Sequence, residues 1–106
     1  MIKQGAVISM DFNPTKGHEQ RGQRPAVVVS NGDYNKTIGL SIVCPISNTT
    51  KKFPTHIILD ERTKTTGAIF CEHLRSVDLN ERNAKFIEML PNDLLEEALE
   101  IIASLF

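Results

Sequence analysis

The run Ala26-Val27-Val28-Val29 limits the fold more than any other stretch of this chain. Consecutive β-branched residues favour extended backbone, whose side chains point alternately to the two faces of a sheet. An unbroken apolar run therefore reads as a strand covered on both faces. A chain of 106 residues has room for one core and one domain, which is assigned to residues 1–106. Residues 92–105 carry the one convincing helical period. Leu94, Leu95, Ala98, Ile101, Ile102 and Leu105 form a stripe that reads as packing on the domain's own sheet. Pro91 and Asn92 suit the start of that helix, and Asp93, Glu96 and Glu97 suit the positive end of its dipole.

The remaining pattern is short strands. Ala6–Phe12 alternates, with Ile8, Met10 and Phe12 on one face, and Asn13-Pro14-Thr15-Lys16-Gly17 breaks it. Leu40–Ser47 alternates too, and Pro45 argues for an edge or bulge near its end. Thr55–Leu59 follows Pro54 as a short strand, and Gly67–Asp78 is a last β region with a bend. Ser30–Thr37 reads as a polar turn, and Asn80–Asn83 as a short helical turn. The expected fold is mainly β. About five short strands make a small, curved antiparallel sheet or partly open barrel, capped by the C-terminal helix.

Charge is split along the chain. All 12 Lys and Arg lie in residues 1–85 with eight acids, a net +4. Residues 86–106 carry five acids and no base, a net −5. The first part is basic enough to attract a polyanion, while the acidic helix should stay clear of one. No apolar run approaches a membrane span and no apolar leader stands at the N-terminus, so a cytosolic protein is expected. Cys44 and Cys71 stand 27 apart among apolar residues and read as small core hydrophobes, with neither a disulfide nor a metal site expected.

The chemistry concentrates in Gly17-His18-Glu19-Gln20-Arg21-Gly22-Gln23-Arg24-Pro25. This stretch has no aliphatic side chain before Pro25, so it cannot bury itself and reads as a surface loop between two strands. The chain has no phosphate-binding loop, no His-Glu-x-x-His and no Cys-x-x-Cys. It has no Trp and one Tyr, a thin inventory for stacking single strands. What remains is His18, Glu19, Arg24, Ser47 and Glu72. Metal-free RNA cleavage needs such a set. A carboxylate or imidazole takes a proton from the 2′-hydroxyl, a guanidinium grips phosphate oxygens, and a hydroxyl adds a hydrogen bond.

Three blocks resemble the MazF/PemK (Kid) family of toxin endoribonucleases. The first is Asp11-Phe12-Asn13-Pro14-Thr15-Lys16-Gly17-His18-Glu19-Gln20 with Gly22-Gln23-Arg24-Pro25-Ala26-Val27-Val28. The second is Val43-Cys44-Pro45-Ile46-Ser47 with Pro54-Thr55-His56. The third runs from Thr65 to Glu72 and through Leu74-Arg75-Ser76-Val77-Asp78. The resemblance implies an SH3-like barrel with a C-terminal helix and a homodimer with an RNA groove. It implies a cognate antitoxin, MazE/PemI-like, whose flexible acidic segment fills that groove. It also implies sequence-specific cleavage of single-stranded RNA without a metal or other cofactor, leaving a 2′,3′-cyclic phosphate and a 5′-hydroxyl.

By position, Arg24 matches the family's catalytic arginine, and Ser47 stands where many relatives have a catalytic threonine. His18 and Glu72 match the Kid-like branch's histidine and its proposed general base, an aspartate there. Phe70 departs from that branch, which has an arginine at its position. Glu19, Gln20, Arg21, Asn48, Lys51 and Arg75 are the expected RNA-binding residues, whereas His56 and His73 read as structural. Two other readings are a CcdB-like gyrase poison and a relative that binds RNA or protein without cutting. The first needs a C-terminal tryptophan that the chain lacks; the second has only Phe70 in its favour.

Overall fold

A computed structural model describes residues 2–12 and 23–106. The chain order is β1 (Ala6–Met10), β2 (Arg24–Val28), α1 (Gly32–Ile38), β3 (Ser41–Ser47), β4 (His56–Ile58), β5 (Ala68–Phe70), β6 (Arg75–Val77), β7 (Lys85–Met89) and α2 (Asn92–Ser104). The strands form one antiparallel sheet in the order β4-β5-β3-β2-β1-β7, with β6 also on β3. Among the described residues the path runs from β4 to β7 without closing, as both expected alternatives allow.

Alternation along β1, β2 and β3 feeds two apolar layers. Val7, Val27, Cys44 and Ile46 share one layer with Ile69, Leu94 and Ala98, so α2 covers this face as its stripe requires. Ala6, Ile8, Met10, Ala26, Val28 and Val43 form the other, against Phe12, Val77 and Leu79. The β-branched run of β2 is therefore buried on both faces. Cys44 and Cys71 are free and buried in the first layer. Burial pushes the Cys44 thiol up to about 12, so it behaves as a small apolar group.

The structure corrects two readings. Gly32–Ile38 is a helix rather than a turn. The Asn31 side chain accepts from the Tyr34 N–H, and Gly39 closes the helix in the left-handed region at φ 81°. None of its residues is buried, so no apolar stripe announced it. Lys85–Met89 is a seventh-strand edge that alternation did not reveal. It pairs with β1 across an irregularity between Val7 and Ile8 and leaves Phe86 and Met89 exposed.

Strand β3 decides where a site can form. Along one edge it pairs with β2. Along the other it pairs with β6 through Ser41–Val43 and then with β5 through Ile46 and Ser47. Pro45, which lacks an N–H to donate, sits where the partner changes. The gap between β5 and β6 opens there.

Candidate active site

Strand ends meet at that gap and line a cavity of about 510 Å³. Arg24 enters from the first residue of β2, and Pro45, Ile46 and Ser47 from the end of β3. Phe70 closes β5, Arg75 opens β6, and His73 and Leu74 lie in the turn between them. Phe12, just past β1, completes the wall. Among the described residues the lining holds two guanidiniums and no carboxylate, and neither guanidinium has a salt bridge. A polyanion is the ligand this favours.

Each wall is held from behind. Gln23 fixes the approach to Arg24: its amide nitrogen donates to Asn83 O at 2.9 Å and Asp11 Oδ1 at 3.4 Å, and its oxygen accepts from Ser9 Oγ at 2.7 Å. Arg82 donates to the backbone oxygens of Asp11 and Phe12, anchoring the end of β1. The Arg75 guanidinium lies 5.4 Å from the Phe12 ring centre, a cation–π contact. Gly67, at φ 117°, passes against the Ser47 backbone; a Cβ there would lie 2.9 Å from the Ser47 carbonyl carbon. The turn before Gly67 is pinned by Glu88, which accepts from the Lys64 and Thr65 N–H groups and the Thr65 hydroxyl.

Glu72 stands behind this cavity rather than in its wall. Its Oε1 accepts from Thr55 Oγ1 at 2.7 Å, and Oε2 lies 2.9 Å from His56 Nε2. Burial alone would raise its pKa, but these hydrogen bonds and the nearby imidazole bring it down to about 2. His56 lies flat under Phe70, ring centres 3.8 Å apart and 8° from parallel.

Of the expected residues, the structure brings Arg24, Ser47 and Arg75 together in one cavity and places Glu72 behind it. Asn48 and Lys51 are exposed beyond β3, outside the cavity wall. His18, Glu19, Gln20 and Arg21 lie outside the described residues. Sequence reasoning missed the support from Gln23 and Arg82, and it set aside two histidines that flank Glu72. A pair of imidazoles around one carboxylate carries no sequence spacing by which to find it. Among the described residues, no group of three His, Cys, Asp or Glu is placed to hold a metal ion.

The family model for PemK-like, MazF-like toxins of type II toxin–antitoxin systems matches residues 3–106. The chain belongs to this family. The toxin is 35% identical over 80 residues to the Escherichia coli K12 endoribonuclease toxin MazF, covering 76% of this chain and 71% of that one. It is 29% identical over 102 residues to the E. coli endoribonuclease PemK, covering 92% and 77%. A MazE–MazF crystal structure from Deinococcus radiodurans superposes on the toxin with a TM-score of 0.88 at 34% identity, covering 97% of this chain and 93% of that one. That likeness matches the toxin's antiparallel sheet and C-terminal helix. No described helix of the toxin is long and apolar enough to cross a membrane.

Proposed function

We propose that this toxin is an endoribonuclease that cuts single-stranded mRNA at a short specific sequence by metal-independent attack of the ribose 2′-hydroxyl. The products are a 2′,3′-cyclic phosphate and a 5′-hydroxyl. The observation that carries the reading is the convergence of Arg24 and Ser47 in one cation-lined cavity. Arg24 holds the non-bridging phosphate oxygens with its two-pronged donor set as charge builds on the phosphorane. Ser47 donates a hydrogen bond to the same group. Arg75, with Asn48 and Lys51 outside the cavity and Glu19, Gln20 and Arg21 in the preceding loop, binds the RNA strand. His18 is the loop's candidate for proton transfer, and Glu72 supplies fixed negative charge behind the wall.

The same cavity suits control. A cognate antitoxin, MazE/PemI-like, would lay a flexible acidic segment across the guanidiniums and exclude RNA. The working form is a cytosolic homodimer with the RNA groove crossing its interface. The named curated relatives are endoribonucleases, and the superposing structure pairs MazF with MazE.

The test is digestion of a long single-stranded RNA by the purified toxin in EDTA, with the ends of the fragments sequenced. Cuts at one short sequence, with 5′-hydroxyl and cyclic phosphate ends, are expected. Arg24→Ala should abolish them without changing the fold, because Arg24 is exposed. Cutting by Arg24→Ala at the parent rate would overturn the mechanism, and gyrase inhibition without RNA cleavage would overturn the function.

A further inference from the structure

We propose that His73 accepts the proton of the attacking 2′-hydroxyl, with Glu72 as the residue that positions its ring. The inference rests on the endoribonuclease reading of the cavity. His73 lies in the turn between β5 and β6, and its N–H donates to Phe70 O at 3.1 Å. His73 lines the same cavity as Arg24 and Ser47. It meets Phe70 edge-on at 5.4 Å between ring centres and remains 58% exposed, so a substrate can reach it.

The orientation of the ring comes from behind. His73 Nε2 lies 3.6 Å from Glu72 Oε2. Thr55 and His56 already hold that carboxylate, so it cannot turn away. At 3.6 Å the approach of Glu72 to His73 is a charge contact rather than a hydrogen bond, and the carboxylate's charge favours the tautomer protonated at Nε2, which leaves the Nδ1 lone pair for substrate. It then stabilises the imidazolium once Nδ1 is protonated. Among the described residues, the other charged or titratable groups near it are Arg24 from β2, Arg75 from β6 and His56 from β4.

The neighbouring groups are less suited to the task. Glu72, with its pKa brought down to about 2, is too weak a base, and its side chain does not line the cavity. His56 is covered by Phe70, and its Nε2 is committed to Glu72.

In the step, the 2′-O–H bond breaks and its proton passes to His73 Nδ1. The 2′-oxygen forms a bond to phosphorus, and the bond from phosphorus to the 5′-oxygen breaks. The leaving oxygen takes a proton from water in the open cavity, and His73 returns its own to solvent. No oxidant or co-reactant is needed.

The test measures kcat and KM on a long single-stranded RNA from pH 5 to 9 for the parent, His73→Gln, His73→Ala and Glu72→Gln, with circular dichroism as a check on folding. The parent rate should rise with pH, as a step that needs a deprotonated base does. His73→Gln should lose that limb and about 10²-fold or more in kcat, with KM changed only a few-fold. Added imidazole should restore part of the rate to His73→Ala. Glu72→Gln should lower kcat with KM little changed, because the ring loses the carboxylate that orients it. If His73→Gln keeps the parent limb and rate while Arg24→Ala is inactive, the assignment of His73 fails and the endoribonuclease reading stands. If the parent itself cuts no RNA, that reading fails with it.

Discussion

Gly67 lies with its backbone against the carbonyl of Ser47, closer than any residue with a side chain could come. Its φ of 117° is also one that L side chains rarely adopt. The approach closes the β3–β5 pairing in which Ser47 faces Ala68, at the end of β3 that lines the cavity. Gly67→Ala should therefore lower stability by about 1–3 kcal/mol and reduce kcat further than the stability loss explains. Thermal unfolding and cleavage assays on the same protein check this; parent kcat in a destabilised variant would separate Gly67 from the site.

The Ser47 hydroxyl is proposed as one donor to the phosphorane. Loss of one such donor typically costs about 10²–10³-fold in kcat. Ser47→Ala should fall in that range with KM little changed. Ser47→Thr, which keeps the hydroxyl and stiffens it, should stay within a few-fold of the parent.

Glu72 makes acid stability legible. Its folded pKa, about 2, lies below the ordinary 4.5, so its stabilising contribution is complete above about pH 4.5 and is lost as pH falls toward 2. Glu72→Gln should be less stable than the parent at pH 6, with the gap closing between pH 4.5 and 2. Urea unfolding at several pH values measures the gap; a constant difference would mean that the carboxylate's charge is not what stabilises.

Gln23 holds the approach to Arg24 through Ser9, Asp11 and Asn83. Gln23→Ala should cost about 1 kcal/mol in stability and lower kcat by releasing the arginine from its place. Normal activity in this variant would show that β2 pairing alone positions Arg24.

Arg75 tests the electrostatic part of binding. Each phosphate contact on a single strand contributes about 0.7 to the slope of log K against log salt. Arg75→Ala should reduce that slope by about this amount with a 2′-deoxy analogue that resists cleavage. An unchanged slope would place the RNA away from β6.

Much of the fold was legible because its signals are local. The alternation of Ile8, Met10 and Phe12, the β-branched run of β2 and the stripe of α2 each name their buried faces. The hidden elements lack such faces. Helix α1 buries nothing and rests on its Asn31 and Gly39 caps, and β7 is an edge strand with Phe86 and Met89 exposed. The candidate site divides in the same way. Arg24 and Ser47 stand next to recognisable strand and proline signals, whereas the grouping of Thr55, His56, Glu72 and His73 depends on β4 lying beside β5.

The sequence by itself determined a mainly β chain closed by one amphipathic helix, and its three family blocks named Arg24 and Ser47. Periodicity and turn chemistry act over a few residues, so they survive without the fold. Only the tertiary structure decided that β3 changes partner at Pro45, that Phe70 rather than Glu72 faces the cavity, and that Glu72 is clasped between two histidines. Those facts depend on pairing across tens of residues, where hydrogen-bond register and packing choose among arrangements that the local pattern leaves equal.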